Sequence, residues 1–294
     1  MTGDCHVRFG ERLEGKFLWP THLDITINRK LLGLQISDQD LKQLSRKKRD
    51  QILEDLKEKG HKFIEKTIIP VLQTKFSEYF PKEGIEIKFS EDDPLSLEVF
   101  YPTRMNSLYN SYIKPRIYIE FGVRGDVYPT EEKIISPYLH ENIKQLETVS
   151  VPVKVLHPMR TFFEKVTLLH AEAHRTDREK TPLRLSRHLY DLHQLKEKGY
   201  LAESEKQMGL LTNVIEHKSL FFASKKASYE AIYTEGLKLL PSEEGLNDIE
   251  RDYNEMQTMF FGESPAYDSI IISIKDIEII LNKQMRQELP LKNH

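Results

Sequence analysis

Apolar and polar residues alternate along several short stretches in the first half of the chain. In the first stretch, Leu23, Ile25 and Ile27 fall on one face and Asp24 and Thr26 on the other. A period of two residues predicts a β-strand. The same alternation predicts three further strands over residues 85–89, 95–99 and 117–123. Three such strands in succession predict an antiparallel meander, which could extend the sheet begun at Leu23.

Apolar residues recur with helical spacing elsewhere. A long helical region is predicted over residues 39–79, divided at Gly60 and kinked or ended at Pro70. The pattern after Pro152 is helical to the end of the chain. There, helix signals are a capping box at Thr161, a cap at Thr181 and a stop at Gly199. The remaining predicted helices cover residues 203–217, 224–235, 247–260 and 268–287, and residues 105–115 are predicted to be a connection.

These patterns predict an α+β protein in two parts. With 294 residues, the chain is long enough for about two domains of roughly 150 residues. A boundary near residues 148–152 would separate a mixed α/β domain, 1–150, from a helical domain, 151–294.

Composition restricts the class of protein further. Hydrophobic residues make up 39% and charged residues 30%, a mixture that can bury a core. The formal net charge of −3 means that any nucleic-acid surface must be a local patch. One such run, residues 46–49, is better interpreted as a solvated helix face. A single cysteine, no signal-peptide pattern and no apolar run of about 20 residues lead us to expect a cytoplasmic protein without a membrane segment.

The segment 159–195 concentrates positive charge and holds the first candidate site. Lys165 lies beside apolar helix positions and could hold a phosphate as a point charge, although spacing alone favours an ordinary lysine at the edge of the core. Asp191 lies four residues after Arg187. This spacing fits a helix-surface ion pair, and the functional alternative is that Asp191 orients Lys165 or a hydroxyl near phosphate.

Two further constellations could bind metal. His170 and His174 have helical i, i+4 spacing, but Glu172 would point away from both, which argues against a hydrolytic zinc site. Asp24 and Glu120 each lie on the polar face of a strand. If those strands are neighbours, the two carboxylates could converge on Mg²⁺ for phosphoryl or nucleotidyl transfer; otherwise they are exposed strand carboxylates.

Four segments resemble signatures of one family. Residues 155–170 contain R-T-F-F-E-K and a following L-H, and residues 186–192 read S-R-H-L-Y-D-L. Residues 117–124 and 252–260, the latter D-Y-N-E-M-Q-T-M-F, add support. Together they resemble the AbiEii/AbiGii-type nucleotidyltransferase toxins of toxin–antitoxin and abortive-infection systems, over a range from about Leu23 to the end of the chain.

The resemblance implies a polymerase-β-like nucleotidyltransferase mixed sheet followed by a helical C-terminal domain. It implies metal-dependent transfer of nucleotide from a nucleoside triphosphate to RNA, with tRNA the acceptor for some relatives, and a cognate winged-helix antitoxin. By resemblance, Lys165 binds triphosphate and Asp191 is the essential acid of the helical part. Asp24 and Glu120 hold Mg²⁺ or Mn²⁺, and Arg187 contacts phosphate or Asp191. Asp24, Glu120, Lys165 and Asp191 are expected to surround one triphosphate pocket.

The chain departs from the family pattern near its N-terminus. The family shows a Gly-Gly-Ser/Thr turn before S-x-D-x-D, whereas residues 5–20 contain only isolated glycines. His22 occupies the position of the first Asp in that motif. Alternate strand positions share a face, so His22 and Asp24 could co-ligate a metal. Neutral imidazole is a poor Mg²⁺ ligand, however. These departures favour a truncated, wrongly started or degenerate N-terminus, and a catalytically impaired remnant that binds RNA or antitoxin is the alternative function.

Overall fold

The computed structural model describes residues 5–8, 16–17, 22–81, 84–102, 116–135, 150–175, 184–257, 260–261 and 263–288. The chain forms two compact units. The first takes its residues from Met1–Gly10 and Thr21–His157, and the second from Glu11–Pro20 and Pro158–His294. The predicted mixture of a sheet-containing part and a helical part is confirmed. The predicted connection at 105–115 and the cap at Thr181 lie outside the described residues.

A mixed sheet forms the centre of the first unit. Its strands within the described residues are β1 (Cys5–Arg8), β3 (His22–Ile27), β4 (Glu86–Phe89), β5 (Ser96–Phe100), β6 (Arg116–Gly122), β7 (Thr130–Ile135) and β8 (Val151–Leu156). They are arranged in the order β4-β5-β6-β3-β1-β8-β7. The strands β4, β5 and β6 pair antiparallel, which confirms the meander. β6 then pairs with β3 in parallel, so the meander does extend the first sheet strand.

The prediction that the chain turns helical directly after Pro152 is wrong. Residues Val151–Leu156 form β8, which pairs antiparallel with β7 and parallel with β1. Its valines occupy every second position, which places them on one face of a strand, and the helix begins only at Pro158. The two units accordingly divide at His157–Pro158, after β8, whereas the predicted boundary precedes this strand.

The helices of the first unit pack against the sheet through a shared apolar core. They are α1 (Asp38–Gln43), α2 (Arg46–Phe63) and α3 (Ile69–Tyr79), with a π-helical turn over Ile64–Ile68. Buried Leu56 and Ile64 pack in one cluster with sheet residues that include Leu97 and Phe121. The run 46–49 begins α2 with three exposed side chains, as a solvated face requires.

Gly60 does not divide the helical region, contrary to the prediction. It is buried inside α2, and a Cβ at this position would lie 2.5 Å from Cγ1 of Val123. Glycine is therefore needed for close packing rather than for a break in the helix. The irregularity falls instead at the π-helical turn ahead of Pro70. Pro70 occupies the first turn of α3, where its missing N–H costs little, and the chain remains helical across it.

The second unit is built from helices, as predicted. They are α4 (Pro158–Ala173), α5 (Ser186–Glu197), α6 (Tyr200–Glu203), α7 (Met208–Phe221), α8 (Glu243–Met256) and α9 (Tyr267–Glu288). A two-stranded ribbon pairs β2 (Lys16–Phe17) with β9 (Phe260–Phe261). Gly199 follows α5 with φ of 90°, which confirms the predicted stop. In the part of the chain that is described, no helix is long and apolar enough to cross a bilayer.

Two helix predictions in this unit need correction. Thr161 is not a cap, because α4 already begins at Pro158, and proline is well suited to a first helical turn. The predicted helix over 224–235 consists of two 3₁₀ turns, Lys225–Ala227 and Tyr229–Tyr233, separated by Ser228 with φ of 49°. A left-handed residue cannot continue an α-helix, so the segment is broken there.

Candidate functional site

Three potential ligands converge on one face of the sheet in the first unit. The parallel register of β3 and β6 sets Asp24 directly opposite Glu120, and His22 lies two positions before Asp24 on the same face. The Nε2 atom of His22 lies 3.0 Å from Asp24 Oδ1 and 3.4 Å from Glu120 Oε2. One donor atom from each of the three side chains lies within 4.8 Å of the others. We call this group the β-face triad.

The triad combines a shielded imidazole with two accessible carboxylates. The His22 side chain is 16% exposed, whereas those of Asp24 and Glu120 are 44% and 53% exposed. The ring of Tyr118, opposite His22 in the register, contacts the imidazole edge-to-face with centroids 5.1 Å apart. This contact holds the imidazole beside the carboxylates, while their exposure leaves room for a cation and its remaining ligands.

A lysine–aspartate pair lies in the helical unit. Lys165 on α4 donates to Oδ2 of Asp191 on α5 at 2.6 Å, and its Nζ lies 3.5 Å from Nδ1 of His188. The two paired side chains are only 15% and 18% exposed. A largely buried Asp191 that binds Lys165 does not support the interpretation of Asp191 as part of a simple surface ion pair with Arg187. The alternative, in which Asp191 orients Lys165, matches the observed contact.

His188 contributes an uncharged neighbour to this pair. Burial lowers the pKa of His188 well below its usual value, and the positive charges of Lys165 and Arg187 lower it further. The ring is therefore neutral near pH 7, and its Nδ1 can accept a hydrogen bond from the ammonium of Lys165. Two acceptors thus fix the ammonium, one of them charged and one neutral.

The α4 helix is anchored by a buried basic residue. Arg160 is 0% exposed, donates to Glu164 at 3.0 Å and donates to Asn213 on α7 at 3.1 Å. A buried guanidinium needs such partners, because an uncompensated charge in the interior is costly. Arg160 therefore holds the helix that presents Lys165. It is not part of an exposed basic surface, although the sequence places it in the positively charged segment.

The α5 helix is anchored from α8. The carboxylate of Asp252 accepts from the backbone N–H groups of Arg184 and Ser186 at 2.9 Å each, at the start of α5. A carboxylate at this position satisfies free N–H groups and interacts favourably with the helix dipole. Ser186 also donates to the sulfur of Met256. The D-Y-x-x-M segment therefore positions the helix that carries Asp191.

With this geometry established, comparison with known proteins identifies the family. A family model described as the nucleotidyl transferase AbiEii toxin of type IV toxin–antitoxin systems matches residues 23–282. The chain belongs to the AbiEii family. The matched range includes Asp24, Glu120, Lys165 and Asp191 and begins one residue after His22. Neither the curated proteins nor the solved structures give a match.

The AbiEii assignment confirms the predicted family of nucleotidyltransferase toxins. Asp24 and Glu120 are adjacent on the sheet of the first unit, and Lys165 and Asp191 are in contact within the second unit. The role of each residue stays a prediction, as does the single pocket expected for all four. The contact of His188 with Lys165 was not predicted from the sequence, because residues 165 and 188 meet only through the packing of two helices.

A zinc site at His170 and His174 is contradicted by the structure of this AbiEii-family chain. Both ring nitrogens of His170 are used by the backbone: Nδ1 accepts from Lys238 N–H at 3.1 Å, and Nε2 lies 3.1 Å from Ser228 O. Burial lowers the pKa of His170 to about 4, and the hydrogen bond to Ser228 opposes this only partly. His174 Nδ1 lies 2.8 Å from His170 O. His170 therefore ties α4 to neighbouring segments and has no lone pair left for zinc.

Proposed function

We propose that this AbiEii-family chain transfers a nucleotide from a nucleoside triphosphate to an RNA acceptor, tRNA being the first candidate, in a reaction that depends on Mg²⁺ or Mn²⁺. The observation that carries the proposal is the convergence of Asp24 and Glu120 on neighbouring parallel strands. Two carboxylates presented together to solvent are a ligand set that suits a hard divalent cation bound with substrate phosphates. A cytoplasmic location and a winged-helix antitoxin partner belong to the same proposal.

The reaction breaks a phosphoanhydride bond of the nucleoside triphosphate and forms a phosphodiester bond to the RNA. A hydroxyl oxygen of the RNA bonds to the α-phosphorus and releases its proton to solvent, the bond from the α-phosphorus to the bridging oxygen of the β-phosphate breaks, and pyrophosphate leaves. A divalent cation held by Asp24 and Glu120 would stabilise negative charge on the attacking and leaving oxygens. Asp24, on the first strand of the family match, is the catalytic carboxylate of the proposal.

Lys165 would bind the triphosphate. A lysine ammonium has three N–H donors, and Asp191 and His188 lie at hydrogen-bonding distance from this one. A third donor can then be offered to a phosphate oxygen in a fixed direction. Because His188 is neutral, its Nδ1 can accept a hydrogen bond from the ammonium, and unlike a second carboxylate it adds no negative charge that would repel phosphate. Arg187, on the same helix, would contact phosphate or Asp191.

A second candidate function is that of a catalytically impaired chain that retains the fold and binds RNA or antitoxin. His22 favours this alternative, since it stands where the family pattern has a first aspartate. The missing Gly-Gly-Ser/Thr turn favours it too, because backbone N–H groups of such a turn hold phosphate.

The two candidates are separated by nucleotide transfer. Purified chain is incubated with each labelled nucleoside triphosphate, tRNA and Mg²⁺ or Mn²⁺. We expect label on RNA, reduced about 100-fold or more in Lys165→Ala and in Asp24→Asn, since each removes a group that stabilises transition-state charge. His61→Gln, a histidine change on α2, is the matched control with transfer unchanged. No transfer above Lys165→Ala, together with retained RNA or antitoxin binding, would support the impaired chain.

A further inference from the structure

The spacing of the β-face triad fits a metal coordination sphere. In an octahedral site with bonds of about 2.1 Å, neighbouring donor atoms lie about 3.0 Å apart. The Nε2 atom of His22 lies 3.0 Å and 3.4 Å from one oxygen of Asp24 and one of Glu120. A cation could therefore be bound by all three atoms with small side-chain adjustments. The same distances also fit an imidazole–carboxylate ion pair, so distances alone do not distinguish a metal site from an ion pair.

The triad contains a nitrogen donor that a magnesium site does not need. Mg²⁺ binds oxygen ligands and retains water, whereas imidazole suits the divalent cations of iron, nickel, copper and zinc. His22 contributes no negative charge when neutral, so the protein ligands present two charges instead of the three that an aspartate at this position would give. Replacing an aspartate with histidine thus weakens the electrostatic attraction for Mg²⁺. The nitrogen partly offsets this loss only for a cation that bonds well to imidazole.

The position of the imidazole also favours direct coordination. Tyr118 packs edge-to-face on the ring, and the side chain is only 16% exposed. A side chain held this way loses little conformational freedom on binding metal, which is what pre-organises a ligand. We infer that His22, Asp24 and Glu120 form a mixed nitrogen–oxygen site that binds divalent first-row transition cations in preference to Mg²⁺, with Mn²⁺, the one of lowest affinity for such ligands, as the most stringent test.

This inference rests on the proposed function for its purpose, but metal binding is measured without nucleotide or RNA. Mn²⁺ is titrated into the full chain, free of any histidine tag, and bound Mn²⁺ is counted by electron paramagnetic resonance. Pulsed measurements on the bound ion then report ¹⁴N coupling from a coordinating imidazole. We expect one such site, nitrogen coupling in the unaltered chain, and displacement of Mn²⁺ only by Mg²⁺ in at least about tenfold excess.

Variants identify the nitrogen. His22→Gln should abolish the coupling and weaken Mn²⁺ binding about tenfold or more, because even lost outer-shell partners cost this much. His22→Asp should also abolish the coupling but strengthen Mg²⁺ competition about tenfold, since it supplies a third carboxylate. His61→Gln, in the same unit, should change neither property. Thermal unfolding of each variant verifies that the fold is retained.

Three results would overturn the inference: no bound Mn²⁺, bound Mn²⁺ without nitrogen coupling, or equal competition by Mg²⁺. The first would leave the triad as an ion pair only. Nucleotide transfer that runs equally well with Mg²⁺, without nitrogen coupling, would overturn the metal preference and leave the proposed function standing. Nitrogen coupling in a chain that transfers no nucleotide would overturn the proposed function and leave the mixed-ligand metal site standing.

Discussion

The contact between Lys165 and Asp191 makes a specific prediction about energetic coupling. The two groups are 2.6 Å apart and are 15% and 18% exposed, so water screens them only in part. A hydrogen bond between charged groups contributes about 1.5–3 kcal/mol, whereas an exposed ion pair contributes about 0.2–1 kcal/mol. We therefore expect Lys165→Met or Asp191→Asn to destabilise the helical unit by about 2 kcal/mol each. The double variant should lose only about 2.5 kcal/mol.

The coupling energy, about 1.5 kcal/mol, is the quantity to be measured, since a double-mutant cycle isolates the pairwise interaction. Because a chain with two compact units need not unfold in one step, local stability should be measured by hydrogen exchange on peptides from α4 and α5. Arg251 and Asp248 on α8 form a more exposed pair for comparison, with side chains 77% and 32% exposed. We expect no more than about 0.5 kcal/mol of coupling there. Equal coupling in both cycles would refute the buried, orienting contact.

Three further substitutions test individual contacts that stabilise the two units. Because burial lowers the pKa of His170 to about 4, below about 6.5 in the unfolded chain, its contribution to stability is complete above pH 6.5 and is lost as the pH falls towards 4. Chemical denaturation should show the unaltered chain losing about 2 kcal/mol more than His170→Gln between pH 7.5 and 5; equal losses would contradict this. Gly60→Ala should lower stability by about 1–2 kcal/mol, since its Cβ would clash with Val123, whereas Gly209→Ala, which has open space, should be neutral or stabilising; thermal unfolding distinguishes them. Asp252→Ala should cost about 1–2 kcal/mol in the same assay and Asp252→Asn clearly less, and equal losses would argue against a capping role.

Local periodicity predicted those elements whose residues face one core. The strands at Asp24 and Glu120 each present one apolar and one polar face, so alternation revealed both. β1 alternates as CHVR over only four residues, which is too short to predict a strand, and β7 reads TEEKII, in which Glu132, Lys133 and Ile134 are exposed in succession, so it does not alternate. Gly60 was misinterpreted for a related reason, because the need for glycine comes from Val123, far away in the sequence.

The site was predictable in its parts but not in its contacts. His22 and Asp24 share a face by their spacing, whereas their proximity to Glu120 depends on the pairing of β3 with β6. Similarly, the family signature singled out Lys165 and Asp191, but spacing alone favoured ordinary surface roles for both. Their contact arises from packing of two helices, which periodicity within one helix does not specify.

Transfer of a nucleotide to RNA by this AbiEii-family chain is the proposal on which the assigned roles of Asp24 and Lys165 depend. Its most direct test is the mass of the acceptor after incubation with each nucleoside triphosphate and Mn²⁺ or Mg²⁺, measured together with released pyrophosphate. We expect an RNA mass increased by whole nucleoside monophosphate units, one pyrophosphate for each unit, and neither product with Lys165→Ala. An RNA of unchanged mass under all these conditions, or mass gain without matching pyrophosphate, would contradict it.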